Sequence, residues 1–209
     1  MNDRQNEISI EALRTGDRRE FARLVDTYSG PLHRLALKML GNAPDTEDVL
    51  QNTLLKAFQH IGEFEGRSSI STWLYRIASN EALMMLRKQR PEIPFTDTAP
   101  EDEDNKIFDP VQFADWCCLP EEVFLTTESR AALDHAVQHL PETLRIVFVL
   151  RDIENLSIQE TSQALALSET AVKTRLLRAR LRLREELSSY FGERLSKGAK
   201  NEQKRSFHM

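Results

Sequence analysis

The sequence predicts an all-α protein made of two small helical domains. Three observations carry this. Only 7 glycines occur among 209 residues, and no long stretch alternates apolar and polar residues as a half-buried strand would. Apolar residues instead recur at three- and four-residue intervals between Phe21 and Met85, and again between Ala171 and Leu183. Between these blocks, residues 91–120 hold eight acidic residues against one basic residue, Lys106, and five of the eight prolines. That composition disfavours a packed core and suits an extended tether. The expected organisation is a helical bundle over 1–90, an acidic flexible linker over 91–120, a helix-turn-helix domain over 121–190, and a polar, disordered tail over 191–209.

The totals narrow the function classes. Hydrophobic residues make up 40% of the chain and charged residues 29%, so the cores are small and the surfaces large. No apolar run approaches the roughly 18 residues of a membrane span, and the first twenty residues lack the apolar centre of a signal peptide. The expected location is the cytoplasm, with no membrane insertion. Cys117 and Cys118 are adjacent, which is poor geometry for a mutual disulfide.

In the first domain a short helix is expected over Ile8–Arg14. Asp17 with Glu20 opens a second, whose face carries Phe21, Leu24, Val25 and Tyr28. Pro31 is expected to restart a helix bearing Leu32, Leu35, Ala36, Met39 and Leu40, closed by Gly41. Pro44-Asp45 followed by Asp48 caps another, with Val49, Leu50, Thr53, Leu54, Ala57, Phe58 and Ile61 on its apolar face and Gly62 at its end. A loop over Glu63–Ser71 follows, and Ser71 caps a last helix from Thr72 to about Lys88. On that helix Trp73, Arg76, Asn80, Met84 and Arg87 share one side, next to Phe64 and Arg67 of the loop. Such a set can stack and hold unpaired bases. The plainer reading of the spacing is that Trp73 is core and the arginines are solvated.

The second domain is read from Leu156–Arg184. Ser157 with Glu160 is a capping-box signal. Leu165, Ala166 and Leu167 break the pattern, and Ser168 opens a helix carrying Ala171, Val172, Leu176, Ala179 and Leu183 on one face. From Ser168 to Arg184 six basic residues stand against one acidic residue, Glu169, in a chain of net charge −5. A short helix, a tight turn and a basic second helix is the geometry that places a helix in the DNA major groove. The start of that helix reaches base edges, which singles out Ser168, Glu169, Thr170, Lys173 and Thr174, with Arg175 and Arg178 as phosphate or mixed contacts. Glu185 and Glu186 are spaced to pair with the later arginines.

The segments Asp45–Asn52, Phe64-x-Gly66 and Ser71–Asn80 resemble region two of bacterial RNA polymerase sigma factors. Leu140-Pro141, Arg151, Leu156-Ser157, Glu160, Val172-Lys173 and Arg178–Arg180 resemble region four. The order of these motifs is similar to that of the extracytoplasmic-function (ECF) group. The resemblance implies partners: core RNA polymerase through its β′ clamp helices and β flap, promoter DNA as duplex and as non-template single strand, and an anti-sigma factor. It implies that Asp45, Asp48, Gln51 and Asn52 face polymerase. It also implies that Phe64, Arg67, Ser68, Ser69, Trp73, Arg76 and Asn80 serve the −10 element and a flipped base. The −35 element falls to the helix-turn-helix residues. The alternative is a helix-turn-helix activator that acts without stable polymerase binding.

No enzyme is expected, since no nucleophile motif, phosphate-binding glycine loop or acid/base pair occurs. No cofactor and no metal are expected either. His135 and His139 lie four residues apart with Cys117 and Cys118 upstream, a spacing that matches no familiar metal motif.

Overall fold

The computed structural model describes residues 8–89 and 127–206, with the side chains of 127–130 and 189–206 left out. The expected acidic linker, with Cys117 and Cys118, lies outside the described residues. Among the described residues every regular element is a helix, and no helix is long and apolar enough to cross a membrane.

α1 spans Ile10–Arg14, two residues later than expected, because the Ser9 hydroxyl accepts the Ala12 N–H at 3.2 Å and fixes the start there. The Ser9 N–H donates to the Glu20 carboxylate at 2.7 Å, tying α1 to the next helix. α2 runs unbroken over Arg18–Leu40, started by Asp17, whose carboxylate accepts from the N–H groups of Arg19 and Glu20. The break expected at Pro31 does not occur. Proline removes the bond to the carbonyl of Thr27, but buried Leu24 on one side and Leu32, Leu35, Ala36 and Met39 on the other hold both halves to one apolar face. Gly41, at φ 75°, closes the helix in the left-handed conformation.

α3 covers Ala43–His60. Its cap is Asn42, not the expected Pro44-Asp45: the Asn42 side chain accepts the Asp45 N–H at 3.0 Å and donates to the Asp45 carboxylate at 2.7 Å. Pro44 sits in the first turn, where a missing N–H costs nothing. The chain passes Gly62, the expected stop, in a 3₁₀ turn over Ile61–Glu63. α4 spans Ile70–Gln89, starting two residues before the expected Thr72, because Ser69 and not Ser71 accepts the Thr72 N–H, at 3.1 Å. α2, α3 and α4 pack on one another around Leu24, Leu35, Val49, Leu74 and Ala78.

In the second unit α5 covers Thr127–His139; the expected start at Glu121 falls outside the described residues. α6 covers Glu142–Phe148 and continues as a π-helical turn over Val149–Ile153. α7 spans Ile158–Leu165 and opens with the expected capping box: the Glu160 N–H reaches Ser157 Oγ at 3.1 Å and the Ser157 N–H reaches the Glu160 carboxylate at 2.8 Å. Ala166, at φ 53°, makes the left-handed turn that glycine usually supplies. Ser168 then caps α8, its hydroxyl accepting the Ala171 N–H at 3.1 Å. α8 runs over Glu169–Ser206, so the tail expected to be disordered beyond 190 is helical to Ser206. The stretch has no proline and is rich in good helix formers, which sequence polarity alone conceals.

The two units pack directly, and their buried apolar residues form one cluster. α7 lies against α4, and α5 lies against α2. Arg145 of α6, only 8% exposed, donates to the carbonyls of Met39 at 2.5 Å and Leu140 at 2.9 Å, and also to the Gln138 carbonyl. One guanidinium thus joins the C-terminal end of α2 to the end of α5 and the start of α6.

Candidate polymerase and nucleic-acid interfaces

α3 buries Val49, Thr53 and Ala57 and turns a different face outward. Asp48, Gln51, Asn52 and Leu55 lie on that exposed face, at the spacing that lines up along a helix. Leu55 is 54% exposed, and the sequence pattern absorbed it into no site. Its signal was its register: it falls with Asp48 and Gln51, off the stripe of Val49, Thr53 and Ala57. Asp45 differs from its neighbours. Its carboxylate accepts from Asn42 at 2.7 Å and from Gln89 of α4 at 2.6 Å, so it holds the first turn of α3 to the end of α4.

The loop before α4 encloses an open pocket of about 260 Å³ lined by Glu63, Phe64, Glu65, Arg67, Ser68, Trp73 and Arg76. Phe64 is 5% exposed, so it is wall and not a free stacking platform. It packs on Trp73 with ring centroids 5.2 Å apart, and its carbonyl accepts from the Arg14 guanidinium. Trp73 is half-buried, which reconciles the two readings of its spacing: one part packs on Phe64 and another lines the pocket. Arg67 is 85% exposed and pairs with Glu65 at the pocket edge. Ser69 caps α4, and neither it nor Asn80 lines the pocket. Asn80 is exposed one helical turn beyond Arg76, in line with exposed Met84 and Arg87. The pocket therefore offers an aromatic wall, two guanidinium groups and one hydroxyl, that of Ser68. An aromatic face beside guanidinium groups is chemistry that suits flat rings and phosphates. Glu63 and Glu65 on its rim were not anticipated.

At the second unit, Val172, Leu176, Ala179 and Leu183 bury one side of α8. Ser168, Glu169, Thr170, Lys173 and Thr174 stand exposed at and after the cap, while Arg175 and Arg178 are half-buried. Lys173 lies 3.8 Å from Glu169 one turn back, and the Thr174 hydroxyl donates to the Thr170 carbonyl at 2.9 Å. Arg180 leaves the series: both its Nε and a terminal nitrogen bond Asp152, at 2.9 and 2.7 Å, which raises the guanidinium pKa through that bond. Glu186 does not pair with the arginines as expected; its carboxylate lies 2.6 Å from His139 on α5. The basic end nearest the turn is thus the part open to a polyanion.

The described residues thus comprise a helical unit with an exposed polar face and a pocket beside its last helix, followed by a helix-turn-helix with a basic second helix. Comparison with known proteins gives the family. Residues 24–92 match the Sigma-70 region 2 family and residues 130–183 match Sigma-70, region 4. The chain is 33% identical to the ECF RNA polymerase sigma factor SigW of Bacillus subtilis, across 85% of this chain and 94% of that one. It is 32% identical to the RNA polymerase sigma-H factor of Pseudomonas aeruginosa, across 86% and 92%. Its fold is similar to that of CnrH solved with the cytosolic domain of CnrY, at TM-score 0.63 and 23% identity over 86% of this chain and 95% of that one. The chain belongs to the ECF group of RNA polymerase sigma factors, which bind core RNA polymerase and direct it to promoters. The activator alternative uses only the helix-turn-helix and leaves the region-two match without an account.

Proposed function

We propose that the two units divide the sigma task between them, with residues 1–90 as the clamp and −10 module, 121–190 as the −35 module, and 91–120 as the tether. The exposed row Asp48, Gln51, Asn52 and Leu55 docks on the β′ clamp helices, with Asp45 holding the turn beneath it in register. The pocket of Phe64, Arg67, Ser68, Trp73 and Arg76 takes a flipped base of the non-template strand. Asn80 contacts the strand one turn further along α4, and Ser69 acts by fixing the start of that helix. Unstacking a base costs a few kcal/mol, which pocket contacts offset without ATP. Ser168, Glu169, Thr170, Lys173 and Thr174 read the −35 duplex, with Arg175 and Arg178 on its phosphates, while the unit also meets the β flap. Bond-making stays with polymerase, so this chain is not an enzyme, and it works in the cytoplasm.

The single observation that carries this reading is the pocket: its aromatic wall and guanidinium groups lie in the loop and helix where region two matches. We infer control by an anti-sigma factor as well. RpoE from Bartonella quintana, similar in fold at TM-score 0.58, was solved with its anti-sigma factor NepR. The test is run-off transcription with purified core polymerase on pooled genomic DNA. New start sites sharing two upstream boxes are expected, and Arg76→Ala with Trp73→Ala should lose open complexes while keeping polymerase binding. Normal opening by that pair would overturn the pocket assignment.

A further inference from the structure

His135 and His139 stand one turn apart on α5, and both turn Nδ1 toward one oxygen of Glu186 on α8. The distances to Oε1 are 3.8 Å from His135 and 2.6 Å from His139. The two rings meet edge to face with centroids 4.0 Å apart. One donor atom from each residue falls within 4.8 Å of the other two. We propose that His135, His139 and Glu186 form a site for a borderline divalent transition-metal ion, zinc above all, that clamps α8 to α5.

The chemistry and the spacing both fit. Two imidazoles and a carboxylate are a ligand set that zinc takes with a fourth position open to water. At bond lengths of about 2.0–2.1 Å, tetrahedral donors lie about 3.4 Å apart. The two observed nitrogen–oxygen distances fall on either side of that value, so small side-chain rotations seat an ion. The site is not an accident of long surface side chains alone, because the backbones beneath it are fixed. Ala136 and Val137 on α5 and Leu140 just after it are buried around the histidines, and Leu183 and Leu187 are buried on α8 around Glu186. α5 and α8 pack along these residues. Imidazole with carboxylate favours zinc, nickel or copper over magnesium, which demands oxygen ligands. The pairing of His135 and His139 was visible in sequence; the third donor was not, since it comes from 47 residues further on.

The site also lies apart from the DNA-reading end of α8. Thirteen residues separate Lys173 from Glu186, about 20 Å along a helix. Its effect is on the seating of the long helix.

The test uses the full chain, freed of metal by a chelator and titrated with Zn²⁺ by calorimetry, with Mg²⁺ as a second titrant. One equivalent of zinc should bind, magnesium should not, and zinc should raise the melting temperature. Both His135→Ala/His139→Ala and Glu186→Ala should weaken zinc binding by roughly tenfold or more. All three side chains are substantially exposed, so the metal-free variants should melt as the parent does. His60→Ala and Cys117→Ser/Cys118→Ser should bind zinc as the parent does. Loss of binding in the cysteine variant with retention in the histidine variant would overturn the site, as would zinc affinity unchanged in Glu186→Ala or absent in the parent.

Discussion

Tyr75 of α4 donates its phenolic hydrogen to the Glu154 carboxylate at 2.8 Å, across the junction of the region-two and region-four units. The same carboxylate takes two bonds from Arg34 of α2, each 3.2 Å long. The Glu154 side chain is 2% exposed while that of Arg34 is 56% exposed, so the carboxylate is withdrawn from water and the guanidinium that meets it is not. A carboxylate that is desolvated this far depends on its donors. The junction is held by a short polar knot as well as by apolar packing.

Tyr75→Phe should therefore loosen the packed arrangement by about 1–2 kcal/mol, the cost of a buried partner lost to a charged group. Burial first, then the bond to Glu154, raises the Tyr75 pKa above its ordinary value of 10.0. A raised folded-state pKa means the contribution is complete below pH 10 and is lost as pH climbs through the higher folded value. Small-angle scattering of the full chain should show the parent expanding in strong alkali. Tyr75→Phe should be more expanded at neutral pH and respond less to alkali. Identical scattering at neutral pH would count against the knot.

Arg145 carries a second junction. Its guanidinium satisfies the carbonyls of Met39, Gln138 and Leu140. Burial lowers its pKa, with Glu142 acting in the opposite direction. Arg145→Met keeps the bulk but leaves carbonyls of both units unpaired, and Arg145→Lys supplies a single point that cannot serve all three. Each variant should cost about 2–4 kcal/mol and lower the melting temperature by roughly 5–12 °C. A loss below about 1 kcal/mol in Arg145→Met would mean that water replaces the guanidinium without penalty.

Local signals in the sequence are legible where they are self-contained. Ser157 with Glu160, Ser168 before α8, Asp17 before α2 and Gly41 after it all act within one turn, and the structure has each. Where the structure departs from these local signals, tertiary packing is the cause. Pro31 was expected to break α2, but packing on both sides outweighs one lost bond. Asn42 and Ser69 took the capping roles given to Asp45 and Ser71, because neighbouring cap-forming residues compete and the winner depends on tertiary placement. At the candidate sites, spacing placed Trp73 and Arg76 correctly beside the loop. It could not show that Phe64 is wall, that Arg180 is held by Asp152, or that Glu154 joins Tyr75. Those relations span 28 and 79 residues for the last two, and no periodicity encodes them.

The capping box gives a local test of the helix-turn-helix. Ser157→Ala should cost about 1 kcal/mol, since the Glu160 N–H loses its acceptor at the start of α7. The backbone bond from Ser157, then its hydroxyl, hold the Glu160 pKa below its ordinary value of 4.5. A lowered folded-state pKa contributes stability above pH 4.5 that fades as pH falls through the lower folded value. Thermal melts of Ser157→Ala and Glu160→Gln should both fall below the parent at pH 7, and the Glu160→Gln deficit should shrink in acid. A Glu160→Gln deficit that is constant with pH would assign it to something other than the charged cap.

The division of labour along α8 is testable by salt. Lys173 is exposed one turn into the helix, the part of a recognition helix that the proposed −35 reading turns toward the duplex. Lys173→Ala should weaken binding of the full chain to duplex −35 fragments, and should lower the slope of log affinity against log salt by about 0.9 if its contact is to phosphate. Glu169→Gln should instead shift preference at one base pair, by roughly 1–3 kcal/mol, with the slope unchanged. Arg180→Ala removes an equal charge that is already committed to Asp152. It should leave the slope near that of the parent and lower the melting temperature. Fluorescence anisotropy across a salt series separates the three. If Arg180→Ala reduced the slope as much as Lys173→Ala does, the DNA-facing surface would extend a further two turns along α8 than the Asp152 pairing allows.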